Sequence, residues 1–417
     1  MNYENSSSGI QKTLLCFIDG FDFNRINPEN TPFMSRSISK YPYARITSPP
    51  TTDHMPTILT GKHLHEHKIF HVILKTDSSR TNVFKRLYEL LPDSVTTTLQ
   101  CFLYLISNSY ELPRIPPKRR KQFRIVRTKS FRQKNNFNAM LKINNIETIF
   151  NYIGKEKCSY FHTTTSNLEK KFLSKVGRGD HVLEFLEIYS LDLVHQWNMN
   201  KPAIVDNFYR DTDLFLNNLN EKCNKNGVTL ILLSDHGQDE IIGTIDILNS
   251  LKNSGLQEDD YSYFIQASMA RFWFHNNFAR NSALKVFEDI NTISSFTWQE
   301  LDKFNIAFPD SRYGEVFCMT KPGYIFFPDD FVQRVADLVL GLLDKKQRAR
   351  IFDPKFRGNH TFLKEYDSSK GFLTIFDDNC KVINSDIDIV DVAPSLLHFM
   401  GYEIPKTMSG NPVFISA

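Results

Sequence analysis

Six side chains of the kinds that hold metal ions lie in four places of this 417-residue chain: Asp19, the pair Asp192 and His195, the pair Asp235 and His236, and His360. Carboxylate oxygen and imidazole nitrogen without thiolate suit Zn²⁺ or Mn²⁺, and this set with one hydroxyl is what two ions need. Two ions ~4 Å apart can clamp the attacking and leaving oxygens of a displacement at phosphorus. The hydroxyl comes from Ser48 to Gly61, SPPTTDHMPTILTG. Pro49 and Pro50 bar a helix there, and Met55, Ile58 and Leu59 begin an apolar-spaced run, so Thr51 or Thr52 is expected at a helix start. A threonine so placed faces unpaired N–H groups and the positive end of a helix dipole, which suits a phosphate and a forming alkoxide.

These residues need elements to carry them. KTLLCFIDG reads as a buried parallel strand that delivers Asp19 at its carboxyl end, and GVTLILLSDHG does the same for Asp235 and His236. Burying an aspartate beside a histidine is costly unless something charged is bound there, and a metal ion is the natural candidate. Thr31 to Tyr41 reads as a helix and Tyr43 to Thr47 as a strand, so two strand–helix units precede residue 62. Asp180 to Trp197, DHVLEFLEIYSLDLVHQW, fits neither period cleanly; Asp192 and His195 are three apart and share a face if the stretch is helical. Ala203 to Lys222 has helical spacing. His360 follows Gly358 in a turn-rich loop, GFLTIFDD supplies a further strand, and an amphipathic helix ends at Gly401. The histidines His63, His65, His67 and His71 read as a polar loop with one or two substrate-facing imidazoles, not as a metal site.

Length and composition allow one large α/β domain over residues 1–417 with insertions, and exclude disordered and fibrous classes. One insertion or flap spans 76–145, with an amphipathic piece at Val83 to Leu91, and a smaller α+β subdomain spans 255–345. The net charge of +3 conceals an asymmetry: ten basic and no acidic residues lie between Arg114 and Lys134, which leaves the rest of the chain at −7. That segment, interleaved with Phe123, Ile125, Val126 and Phe131, can grip an anionic lipid surface or a nucleic acid, or serve as a solvated flap. No stretch reaches the ~18 apolar residues of a membrane span. Six singly placed cysteines, with no CxxC pair, point to reduced thiols and a cytoplasmic protein.

Taken in order, the motifs resemble the alkaline phosphatase superfamily and, within it, the nucleotide pyrophosphatase/phosphodiesterase branch, the type I phosphodiesterases. They are Asp19-Gly20, Thr51 nine residues before Thr60, Asp235-His236-Gly237, Gly358-Asn359-His360 and VDVAPSLLHFMG. The resemblance implies a doubly wound, mostly parallel sheet with helices on both faces. It implies one metal site of Asp19, Thr51, Asp235 and His236 and another of Asp192, His195 and His360. Thr51 would be the nucleophile in hydrolysis of a phosphodiester or pyrophosphate, and the substrate a phosphate-ester small molecule or a nucleotide-linked compound. In the family the loop Asp and His are four apart, against three here, and its phosphate-contacting asparagine falls at Val72, beside which His71 can bind substrate. The same ligand set also serves a phosphomonoesterase, a phosphomutase or a phospho-group transferase, and the basic segment leaves room for a degenerate anion-binding protein.

Overall fold

The computed structural model describes residues 9–51, 53–71, 73–75, 95, 123–125, 142–143, 145–163, 166–306, 308–327, 357–360 and 363–416. The chain divides into two compact units, one of Met1–Lys68, Thr128–Asp239 and Leu363–Ala417, the other of Ile69–Arg127 and Glu240–Phe362.

The first unit is built on seven strands: β1 (Thr13–Ile18), β2 (Tyr43–Thr47), β3 (Cys158–Thr163), β4 (Leu183–Ile188), β5 (Thr229–Ser234), β6 (Lys370–Ile375) and β7 (Asp386–Asp388). Their order across the sheet is β7-β2-β6-β5-β1-β4-β3. β1 runs parallel to β4 and β5, β3 to β4 and β2 to β7; β6 is antiparallel to both of its neighbours. β1 reads as a continuous apolar run because it is buried on both faces. Leu14, Cys16 and Ile18 share a core with Tyr209, Leu216, Leu219 and Cys223 of α4 (Pro202–Lys225). On the other face Leu15 and Ile231 approach Val392 and Leu396 of α5 (Val392–Phe399). Leu14 is fully buried, and truncating such a leucine to alanine costs ~3 kcal/mol. The remaining helices that matter to the site are α1 (Pro32–Lys40), α2 (Met55–Thr60) and α3 (Ser190–Asn198). The stretch from 180 to 197 had no clean period because a strand and a helix abut within it, joined at Tyr189.

The second unit holds a four-stranded antiparallel sheet in the order Tyr261–Ile265, Met269–Phe274, Val316–Thr320, Ile293–Thr297. Its helix Asn277–Glu288, capped by the Asn276 side chain, adds Ala283 and Phe287 to a core with Phe272 and Val316. The unit is α+β; its segments Ile69–Arg127 and Glu240–Phe362 overlap the 76–145 and 255–345 read from the sequence, the first ending before 145 and the second running wider at both ends. Val83 to Leu91 lies outside the described residues, as does most of 114–134; within the latter, Phe123–Ile125 pairs with Ile73–Lys75. Among the described residues no helix is long and apolar enough to cross a membrane.

Candidate active site

Sheet register brings the first acids together. Thr13 to Phe17 of β1 stand beside Thr229 to Leu233 of β5, and the same offset carried two residues further sets Asp19 beside Asp235. The backbone then turns at Gly20, whose φ of +71° suits a residue without a side chain, and a β-carbon there would stand 3.3 Å from Asp192. The Asp19 N–H donates to the Ile188 carbonyl of β4 at 3.0 Å, and the Gly20 N–H approaches Asp235 Oδ1 at 3.4 Å. Asp19, Asp235 and His236 are all buried, and their ligand atoms lie within 4.8 Å of one another. They are the one such group among the described residues.

The orientation of His236 shows what the group is for. Its Nδ1 donates to the Gly237 carbonyl at 2.9 Å, which leaves the Nε2 lone pair turned towards Asp19 Oδ1 at 3.3 Å and Asp235 Oδ2 at 3.6 Å. A lone pair facing two carboxylates is repulsive unless a proton or a cation lies between them. Burial disfavours the charged ring, yet Asp235, Asp19 and Asp192 pull its pKa up to about 10. The site therefore favours positive charge at that point, and two carboxylates with an imidazole oriented by the Gly237 carbonyl suit a divalent ion.

Thr51 is buried in a turn ahead of α2, with its N–H donating to the Pro49 carbonyl at 2.8 Å. The helix begins at Met55, not at Thr51 or Thr52 as the sequence suggests. Pro56 sets that start, since a missing N–H is harmless in a first helical turn. Thr51 is thus held by the turn and not by a helix cap. His54, which the sequence reading passed over, ties the turn to the acids: Nδ1 lies 2.9 Å from Asp235 Oδ2 and Nε2 3.3 Å from the Pro49 carbonyl. Ser48 Oγ adds a bond to the Asp235 carbonyl at 3.0 Å.

Asp192 and His195 both lie on α3, yet they part company. Gln196 Nε2 donates to Asp192 Oδ2 at 2.7 Å and Gln238 Nε2 to Oδ1 at 2.5 Å. Burial, then the charges of Asp19 and Asp235, push the Asp192 pKa up to about 7. His195 is fully buried and its ring tilts against Tyr209 of α4, with centroids 5.5 Å apart. Neither ring nitrogen has a hydrogen-bond partner, and burial drives its pKa down to about 3 against a weaker upward pull from the Gly20 backbone. The reason is angular: neighbouring helical residues differ by ~100°, so the ring that follows Asp192 by three cannot point where a residue four on points. Position 196 holds glutamine.

His71 and His360 belong to the second unit. There the His71 ring is engaged on both sides, by Arg271 Nη2 at 3.2 Å from Nδ1 and by the Gln266 side chain at Nε2. Of the residues that sequence reasoning missed, Gln238 directly follows Asp-His-Gly and Gln196 follows Asp192 by one helical turn, spacings that were available as a signal. His54 meets Asp235 across 181 positions, which no local pattern records.

A mostly parallel sheet with helices on both faces and acids at its strand ends is an alkaline-phosphatase-like α/β fold. Residues 13–344 match the family model for Type I phosphodiesterase / nucleotide pyrophosphatase. The chain belongs to that family and is a hydrolase. The murine ectonucleotide pyrophosphatase / phosphodiesterase 5 is similar at 13% identity, covering 95% of this chain and 96% of that one with a TM-score of 0.62. The human counterpart gives 12% identity, 96% and 97% coverage and a TM-score of 0.63. An inactive threonine-to-alanine variant of the murine protein, in complex with AMP, matches at 12% identity, 95% and 96% coverage and a TM-score of 0.61. No curated protein matches the sequence.

Proposed function

We propose that this chain hydrolyses a phosphodiester or pyrophosphate bond in a nucleotide-linked or similar phosphate ester, with Thr51 as nucleophile beside a divalent ion held by Asp19, Asp235 and His236. The observation that carries the reading is His236 Nε2, set between two buried carboxylates at 3.3 and 3.6 Å. Zn²⁺ is the first choice for that donor set and Mn²⁺ the second. When bound, the ion supplies charge stabilisation for the phosphoryl oxygens and favours ionisation of a nearby hydroxyl. The chain's own residues do the rest. The Thr51 oxygen forms a bond to phosphorus as the ester oxygen departs, and water then cleaves the phosphothreonine ester and restores the hydroxyl. His54 and Ser48 keep Asp235 and the Thr51 turn in fixed relation. Capture of AMP by the murine relative supports a nucleotide-linked substrate. The free thiols of Cys16, Cys158, Cys223, Cys318 and Cys380 support the cytoplasmic assignment. Contact with anionic lipid or nucleic acid through 114–134 belongs to the proposal on charge alone.

The test is an assay of the purified full chain on bis-nitrophenyl phosphate and nitrophenyl phosphate, with and without chelator. Expected are faster turnover of the diester, loss of activity on chelation, and a fall of ~10³-fold in Thr51→Ala but not in Thr52→Ala. Full activity in Thr51→Ala sinks the assignment. A preference for the monoester moves it to a phosphatase.

A further inference from the structure

The family resemblance calls for a second ion at Asp192, and the residues around Asp192 do not fit one. An ion needs electron pairs, but the two side chains that meet the Asp192 carboxylate present amide hydrogens: Gln196 Nε2 at Oδ2 and Gln238 Nε2 at Oδ1. When Asp192 is ionised its carboxylate only accepts, so the amide nitrogens face it, and the Gln238 amide oxygen is left without a partner. The two glutamines come from different elements, one from α3 and one from the loop after β5, and together they occupy both oxygens. The imidazole of α3 that should have joined Asp192 is instead buried against Tyr209. Among the described residues one group of three ligating side chains converges, and Asp192 is not in it.

We propose that the enzyme holds a single firmly bound divalent ion, at Asp19, Asp235 and His236, and that Asp192, clamped between the Gln196 and Gln238 amides, is a positioning residue in place of a second metal ligand. Its backbone stands against Gly20, where a β-carbon would come within 3.3 Å, so the clamp braces the turn that carries Asp19. The charge that a second ion would supply near the phosphoryl group must then come from elsewhere, which sets this chain apart from two-ion members. The inference rests on the metal-binding reading above, and the two can fail separately.

The experiment is zinc titration of chelator-stripped full chain by calorimetry, with elemental analysis after gel filtration, on wild type, Asp192→Asn, Gln196→His and Asp235→Asn. Expected are one ion per chain in wild type, one in Asp192→Asn, and none retained in Asp235→Asn. A second ion in Gln196→His, which restores an imidazole four residues after Asp192, would add support. Two ions in wild type with one lost in Asp192→Asn overturns the inference and leaves the hydrolase reading intact. No ion in wild type overturns both. The wild-type stoichiometry decides the matter even if a variant fails to fold.

Discussion

Two parts of the site are built by different means, and they tolerate error differently. Asp19 and Asp235 sit at the ends of neighbouring parallel strands whose hydrogen-bond register fixes their separation before any side chain is placed. Asp192 and His195 sit on α3, where direction depends on residue count. A ladder keeps two strand ends together as long as the run of paired residues is intact. A helix turns ~100° per residue, so one position decides whether an imidazole meets the acids or the core. Altering a site while keeping the fold is therefore easier from the helix, and that is where the proposed departure of this chain lies.

Substitutions can break this contrast. The largest effect belongs to the strand ends: Asp235→Asn should lower diester hydrolysis by ~10³-fold and abolish ion retention, read by turnover and elemental analysis. Next is Gly20→Ala, which combines a left-handed φ of +71° with close approach to Asp192. It should cost ~2 kcal/mol in urea unfolding and lower kcat more than it raises KM. Asp192→Asn, on the proposal that the amide clamp stands in place of a second ion, should cost only about tenfold in kcat. If it matches Asp235→Asn, the distinction between the two regions collapses.

Acid should reveal the buried imidazoles through stability. Burial drives the pKa of His195 to about 3 and that of His67, bonded to Thr57 Oγ1 at 3.0 Å, also to about 3, from an ordinary 6.5. Between those values the unfolded chain binds protons that the folded chain refuses, so the contribution of these two rings is full above pH 6.5 and falls as pH drops towards 3, while Asp192, raised to about 7, works the other way between pH 7 and 3.8. From pH 7 to pH 5 the wild-type urea midpoint should decline relative to that of His67→Gln, a difference in which Asp192 cancels; a parallel course in the two removes His67 as a cause. The smallest expected effect is in the basic segment. Neutralising Arg119, Arg120, Arg124 and Arg127 should leave hydrolysis of small diesters within about twofold while weakening adsorption to anionic vesicles.

The fold's centre was legible because β1 and β5 are buried on both faces, and such strands must be unbroken apolar runs. Asp19, Asp235 and His236 were legible for the same reason: a polar residue closing such a run has few structural excuses. α3 was harder, since Tyr189 is the whole joint between it and β4 and the two periods run together. The start of α2 was misjudged by weighing the hydroxyls of Thr51 and Thr52 above the proline at 56. His54 was invisible for a different reason: its function exists only in contact with a residue far along the chain.

β6 carries a consequence for the order in which the protein can be made. It lies between β2, which leads to the Thr51 turn, and β5, which leads to Asp235, yet its residues are Lys370–Ile375. Ribosomes deliver Asp19, Thr51 and Asp235 long before the strand that joins their supports. Until then β2 and β5 each present an open edge, and the Thr51 turn and the acids have no common ladder. A nascent or prematurely ended chain thus carries most of the chemical groups but no assembled site, so activity arrives late in synthesis, once β6 has joined β2 to β5.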